Sequence, residues 1–357
     1  MLLDRNLGRL HHDANTLFEG MAAVSGIEIK DCLLKKELEG MRILSPSGRG
    51  VTIPAKGYFI DRDAFDRHYL HLAEKAGVAL LSGEVRSLHL EGNGRTVGLK
   101  GVQIHARVVI DASGVQSGLS EKAGLKPMRH PEDIAWAVEA DKEYPYLGEE
   151  MFFQYWVGSM APGWKATFSP AGGDLATIGV FVRGHGQNVQ PFFDRFSKLF
   201  KAQKASQYKN IDRMKVLSVR RGGDPICVMP GEMVADSLMV AGGAAGQSGL
   251  AYSMRAGTIC GTVAGEAVLK DDVSHRSLSE YVRRWKREFY WQYRMGRSSL
   301  QTLGQMKDEE IERLIYGLSG KGLVSNGSFF KKAVYAGALV TMIRPRTPYD
   351  LLVNLIR

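Results

Sequence analysis

The sequence has few cysteines, and they lie far from one another. Cys32, Cys227 and Cys260 form neither a C-x-x-C pair nor a group with the spacing of metal ligands. This pattern argues against a disulfide framework, a zinc site or an iron–sulfur cluster built from this chain. We therefore predict a reduced protein that binds no metal.

Long apolar runs are also missing. The longest apolar stretch, residues 333–343, is shorter than the roughly 20 residues that a membrane-spanning helix needs. The first residues, which include Asp4 and Arg5, are charged and lack the apolar core of a signal peptide. We predict a cytoplasmic protein, with peripheral contact to the inner face of the cell membrane as an open possibility.

The overall composition is that of a globular protein without an obvious nucleic-acid partner. The 357 residues are 44% hydrophobic and 24% charged, which allows two or three packed subdomains. The net charge of +9 favours anionic partners, but the basic residues are spread along the chain and form no nucleic-acid motif.

One stretch rich in glycine and alanine, residues 237–247 (SLMVAGGAAGQ), stands out from the rest. Leu238 to Ala241 predict a short buried strand, and helical spacing of apolar residues predicts a helix over 252–269. The small residues between them let the backbone approach a ligand and present N–H groups to an anion at a helix start. A flavin or dinucleotide cradle and a tight helix–sheet turn fit this pattern equally well.

Four stretches, in this order, resemble motifs of the FAD-dependent geranylgeranyl reductase family. They are residues 57–66 (GYFIDRDAFD, like R-x-x-F-D), 108–117 (VVIDASGVQS), 161–170 (APGWKATFSP) and 236–246 (DSLMVAGGAAG, like GDAAG). The resemblance covers the chain from about Met41 to the C-terminus. The family's first motif, G-x-G-x-x-G, is expected to lie before Met1, and Gly243 stands where the family has an Asp that bonds the ribityl chain.

The resemblance implies an α/β fold of the FAD/NAD(P)-binding, glutathione-reductase-like type, with an inserted antiparallel β-sheet substrate domain and C-terminal helices. It implies four regions: a truncated FAD-binding domain over 1–125 that shares strands with the substrate sheet, the substrate domain over 126–214, a second FAD-binding part over 215–270, and a helical region over 271–357. The residues expected to bind FAD are Arg62, Ser113, Gly114, Gly242, Gly243, Ala244, Ala245 and Gly246.

Local patterns add a helix start and a lipid pocket. Asp63 is predicted to cap a helix in which Arg62 and Asp66 are spaced for an ion pair. In the predicted substrate sheet, Trp164 and Phe168 are predicted to line an apolar pocket, although aromatic side chains at period two also suit an ordinary core. A basic, aromatic helix over 277–300 suits either anionic lipid or docking on the flavin domain.

By resemblance, the function is FAD-dependent reduction of geranylgeranyl double bonds in membrane-lipid biosynthesis. The implied partners are an isoprenoid lipid as substrate and a reduced nicotinamide or ferredoxin as electron donor. Two alternatives stay open: another flavin-dependent oxidoreductase of the superfamily (a quinone-linked dehydrogenase or a monooxygenase), and a truncated lipid-binding remnant without activity. The sequence identifies no catalytic residue and no proton donor.

Overall fold

The structure, a computed structural model, describes residues 1–7, 15–116, 118–320 and 347–356, so the helix predicted over 331–342 lies outside it. The strands are β1 (Leu2–Asp4), β2 (Thr16–Phe18), β3 (Leu34–Leu44), β4 (Gly50–Ile60), β5 (Leu80–Ser82), β6 (Ser87–Glu91), β7 (Gly94–Leu99), β8 (Val102–Ala106), β9 (Val109–Asp111), β10 (Ala135–Glu143), β11 (Phe152–Trp156), β12 (Lys165–Pro170), β13 (Leu175–Val182), β14 (Lys215–Asp224), β15 (Val234–Ala235) and β16 (Leu238–Val240). The helices are α1 (Glu19–Ser25), α2 (Arg62–Lys75), α3 (Leu119–Lys122), α4 (Gln190–Lys204), α5 (Gly249–Leu269), α6 (His275–Gln305), α7 (Asp308–Leu318) and α8 (Thr347–Ile356).

A large sheet holds eight strands in the order β14-β10-β13-β12-β11-β3-β4-β2. All neighbours are antiparallel except β11 and β3, which run parallel, with Phe152 opposite Gly40. The predicted antiparallel sheet is therefore present, and it recruits β2, β3 and β4 from the N-terminal region. It also extends through the 10 residues of β14, beyond the boundary that we placed after residue 214.

One face of this sheet packs against α4. Phe168, Ile178 and Trp156 are fully buried there against Phe196 and Phe200 of the helix. Because side chains alternate along a strand, their neighbours point to the other face. We call that other face, which carries Glu139, Lys165, Thr167 and Phe181, the inner face.

The second part of the fold is an α/β layer. β9 and β16 pair in parallel, with Leu238 opposite Val109, and β15 joins β16. A separate parallel pair, β1 with β5, packs through Leu3 on an apolar cluster that includes Leu238 and Val109. α5 follows β16 and packs through small residues against Tyr281, Trp285 and Phe289 of α6. No helix in the described part of the chain is both long enough and apolar enough to cross a bilayer.

The start of α2 differs from the prediction in its cap. The helix begins at Arg62, and the carboxylate of Asp61 accepts a hydrogen bond of 3.0 Å from the Ala64 N–H. Asp61 has an extended backbone, which places its side chain over the free N–H groups of the first turn. The prediction of Asp63 as the cap is wrong, because Asp63 already lies inside that turn, where its charge favours the helix dipole.

Candidate functional site

The glycine-rich stretch forms a tight turn between β16 and α5. Residues Gly242–Ala245 make a 3-10 turn, and both Gly242 (φ +64°) and Gly246 (φ +76°) adopt left-handed backbone conformations. An added Cβ at Gly246 would lie 3.1 Å from the carbonyl oxygen of Val228. The glycines are thus required by the backbone geometry of the turn as well as by any ligand.

Gln247 holds this turn, and sequence reasoning missed it. Its side-chain Oε1 accepts a hydrogen bond of 2.6 Å from the Gly242 N–H, while its Nε2 donates one of 2.7 Å to the hydroxyl oxygen of Tyr281. Gln247 is fully buried, so both bonds are shielded from water. The only signal in the sequence was a polar residue at the end of an apolar, glycine-rich stretch.

The loop after β9 lies directly against the turn. Asp111, buried at the end of β9, accepts hydrogen bonds of 3.1 Å from the backbone N–H groups of Ser113 and Ser120, and both serine hydroxyls also donate to it. An added Cβ at Gly243 would lie 3.3 Å from the Val115 nitrogen and 3.4 Å from the Gly114 Cα. Two of the stretches that resemble flavin motifs are therefore neighbours in space.

The residues at this edge fit a flavin cofactor. β9 and β16 end here side by side, and ligands of open α/β sheets bind at the carboxyl ends of the strands. Gly114 and Gly249 have left-handed backbones, and an added Cβ at either position would contact nothing within 4 Å. The 21-residue helix α5 begins at Gly249, and the free N–H groups of its first turn favour an anionic group.

Arg62 lies at a different cavity. It pairs with Asp66 at 3.1 Å, as its spacing predicted. With Asp61, Asp141 and Arg220 it lines a cavity of roughly 200 Å³, to which no residue of the 242–246 turn contributes. The structure therefore brings Ser113 and Gly114 to the turn, while Arg62 lines this separate cavity at the start of α2.

The two predicted pocket residues lie in different environments. Phe168 is fully buried under α4, with its ring centre 5.3 Å from that of Phe200. Trp164 is partly exposed, and its ring lies 4.9 Å from the Nζ of Lys165. Phe153 and Phe181 complete the ring contacts of Lys165, with centroids 5.5 and 5.4 Å from Nζ.

Two ionisable groups of the inner face have perturbed pKa values. Burial lowers the pKa of Lys165, against the opposing influence of the Asp224 and Glu139 charges. Burial likewise raises the pKa of Asp224, although the Ser248 hydroxyl donates a hydrogen bond to its carboxylate. Trp164, Lys165, Phe181 and Asp224 each keep part of their surface accessible, and we call the region that they share with Phe153 the recess. Perturbed groups in a cleft are typical of functional sites.

A buried charge cluster fixes the position of α6 next to this recess. The carboxylate of Asp133 forms ion pairs with Arg183 at 3.0 Å and with Arg297 of α6 at 2.6 Å. The three side chains are at most 14% exposed. Burial lowers the pKa of Arg183, and the Asp133 charge acts in the opposite direction. Arg297 belongs to the basic, aromatic helix predicted over 277–300, and its partner in the structure is a protein carboxylate.

Comparison with known proteins agrees with this fold. A sequence model of the tryptophan halogenase family matches residues 30–164. A geranylgeranyl bacteriochlorophyll reductase-like protein from Thermoplasma acidophilum superposes with a TM-score of 0.81 at 20% identity, over 98% of this chain and 90% of that chain. The myxobacterial chondrochloren halogenase CndH, described as FAD-dependent, gives a TM-score of 0.62 at 16% identity, over 99% of this chain and 90% of that chain. The chain therefore shares the fold of these proteins, and the predicted fold class is confirmed.

Sequence relatives identify the family within this class. A digeranylgeranylglycerophospholipid reductase from Methanothermobacter thermautotrophicus is 30% identical over 281 residues, which cover 74% of this chain and 69% of the relative. One from Methanocaldococcus jannaschii is 30% identical over 313 residues, covering 82% and 77%. The chain belongs to the digeranylgeranylglycerophospholipid reductase family, and the predicted family is confirmed.

Proposed function

We propose that this protein is an FAD-dependent oxidoreductase that saturates the carbon–carbon double bonds of geranylgeranyl lipids in membrane-lipid biosynthesis. Membership of the digeranylgeranylglycerophospholipid reductase family carries this proposal. The glycine turn that fits a flavin and the aromatic recess beside it support the proposal. When bound, reduced FAD supplies the hydride for such a reduction.

The residues of the chain have separate tasks in this proposal. The turn at 242–246, the loop at Ser113 and Gly114, and the start of α5 hold the flavin. Phe153, Trp164 and Phe181 offer aromatic surface to an isoprenoid chain and keep water out of the recess. Phe168 contributes indirectly, because it packs on the opposite face and keeps the sheet fixed on α4.

Binding is expected to depend on the length of the isoprenoid chain. Burial of each CH₂ contributes about 0.8 kcal/mol, so removing one five-carbon isoprene unit should weaken binding by up to about 10³-fold. The measurement is affinity and turnover of FAD-loaded protein with lipids of four, three and two isoprene units. Parallel reactions with reduced nicotinamide and with reduced ferredoxin identify the electron donor.

A saturated lipid of full length serves as the control, since it should bind but consume no reducing equivalents. Affinity that does not change with chain length would reject the aromatic recess as the lipid site. Tight binding and oxidation of a small polar substrate would instead place the protein with the monooxygenases.

We further propose that the protein reaches its lipid by lying on the membrane surface through α6. Trp291 and Met295 of this helix are 66% and 42% exposed, and Arg287 lies exposed one turn before Trp291. These three residues follow a spacing of four, so they share one helix face. An exposed tryptophan beside basic residues suits the interface of an anionic bilayer.

Trp291→Glu is expected to reduce binding to anionic phospholipid vesicles at least about fivefold in co-sedimentation, because a carboxylate opposes both the apolar and the electrostatic contribution. Tyr146→Glu is the matched control, since Tyr146 is 74% exposed but lies far along the chain from α6. Equal losses in both variants, or no loss in Trp291→Glu, would show that α6 is not the contact.

A further inference from the structure

Lys165 has an unusual position for a lysine. It opens β12 on the inner face, and its Nζ lies 4.9 to 5.5 Å from the ring centres of Trp164, Phe181 and Phe153. Within the described residues, its ammonium group has no carboxylate within ion-pair distance. A charged group is thus held among aromatic rings in the recess proposed for the isoprenoid chain.

Two other buried lysines near this sheet make their contacts outside the recess. Lys204 bonds to Glu150, so its charge is neutralised by a direct partner. Lys142 lies on the opposite face, 5.9 Å from the Phe193 ring of α4, where its stem covers the core. Lys165 instead faces a recess, where a methionine would fill the same space without the cost of burying a charge.

The recess also contacts the turn that fits a flavin. Asp224 ends β14 on the inner face, and its carboxylate is bonded to the hydroxyl of Ser248, the residue before α5. The Ser248 N–H donates to the hydroxyl oxygen of Tyr293 at 3.2 Å. The Asp224 charge acts on Lys165, so the ammonium group lies on the side of the inner face that meets the turn.

We propose that the ammonium group of Lys165 is the proton donor of the reduction, and that Asp224 is the positioning residue that holds its charge in the recess. This proposal rests on the proposed function. The alkene gains hydride from reduced FAD at one carbon and the Lys165 proton at the other, so two C–H bonds replace the π bond. The N–H bond breaks and its electron pair stays on Nζ, while the flavin is oxidised by two electrons and the lipid is reduced by two.

The charged groups around Lys165 set the expected pH dependence. Asp224 and Glu139 act on it directly, and Arg183, Cys227 and Tyr293 lie around Asp224. Burial lowers the pKa of Lys165, which brings the ammonium closer to the acidity that suits a general acid at neutral pH. Because only the protonated form donates, turnover must fall as pH rises through this pKa.

Lys165→Met tests the proposal, with Lys142→Met as the matched control. Lys165→Met should keep its FAD content, its lipid affinity and at least the parent's melting temperature, while kcat falls by about 10²- to 10⁴-fold. Lys142→Met should retain the parent kcat. With lysine labelled by ¹³C at the ε carbon, the resonance that disappears in Lys165→Met should titrate below the ordinary range of a lysine side chain. It should titrate at the pH at which the kcat profile falls on its alkaline side.

Three outcomes would overturn the assignment. A kcat of Lys165→Met within about threefold of the parent would show that another group supplies the proton. A Lys165 resonance that titrates in the ordinary range of a lysine side chain would remove its distinction from a surface lysine. A parent enzyme that reduces no geranylgeranyl lipid would refute the proposed function itself and this role with it, whereas an active parent with an active Lys165→Met refutes the role of Lys165 alone.

Discussion

Asp133→Ala is expected to lower the free energy of unfolding by about 3–5 kcal/mol, because it leaves two buried guanidinium groups without a counter-charge. Arg183 and Arg297 both form ion pairs with this carboxylate, and their side chains are 6% and 12% exposed. Neither can reach bulk water without moving β13 or α6. Urea denaturation of the purified variant measures the change through the shift of the midpoint.

Lys215→Ala is the control for Asp133→Ala. Lys215 pairs with Glu143 at 3.1 Å, but its side chain is 73% exposed, so the loss should stay below about 1 kcal/mol. If Asp133→Ala were as mild as this control, the two arginines would have to be solvated or paired elsewhere. Asp133→Asn, which keeps the shape but not the charge, should lie between the two.

Gly246→Val is expected to abolish flavin retention and to destabilise the fold by about 3 kcal/mol. A β-branched residue is strained at φ +76°, and its Cβ would lie 3.1 Å from the Val228 carbonyl oxygen and 3.2 Å from the Met128 Cγ. Relief of these contacts must displace the turn that contacts the loop after β9. FAD absorbance after gel filtration and the melting temperature of FAD-loaded protein measure the two effects.

Gly257→Ala separates these effects from a general effect of replacing glycine. Gly257 lies in α5, and an added Cβ there contacts nothing within 4 Å, so alanine should raise stability by up to about 1 kcal/mol and leave flavin retention unchanged. A Gly246→Val protein with normal FAD content would contradict the assignment of the turn. A lowered melting temperature with normal FAD content would mean that the glycine serves packing only.

The sequence was most informative where local chemistry determines local structure. The strand, turn and helix around Gly242 to Gly246 were predicted because small residues between two apolar segments permit few other arrangements. The ion pair of Arg62 with Asp66 followed from helical spacing alone. The cap of α2 was misplaced by two residues, because several aspartates at the helix start were all compatible with capping and only the backbone at Asp61 decides between them.

The chemistry of the recess could not be predicted in this way. Asp133 and Arg297 are 164 positions apart, and Ser248 meets Asp224 across the junction of two layers. Spacing along the chain carries no information about such contacts. In the sequence, Lys165 was only a charged residue in a strand with aromatic neighbours. Its role depends on the sheet face that it occupies, and a register shift of one residue would move it to the other face.

The parallel pairing of β3 with β11 has a consequence for how the chain folds. Gly40 finds its partner only when Phe152 is available, and β14 completes the same sheet still later in the chain. Closing such long loops before the contacts form slows folding, and the edge of β3 that β11 later covers stays exposed in the meantime. During synthesis the N-terminal hairpin of β3 and β4 therefore stays without its partner strand until β11 is made. Production at low temperature or with chaperones should thus raise the soluble yield more than any change to the surface charge of the folded protein.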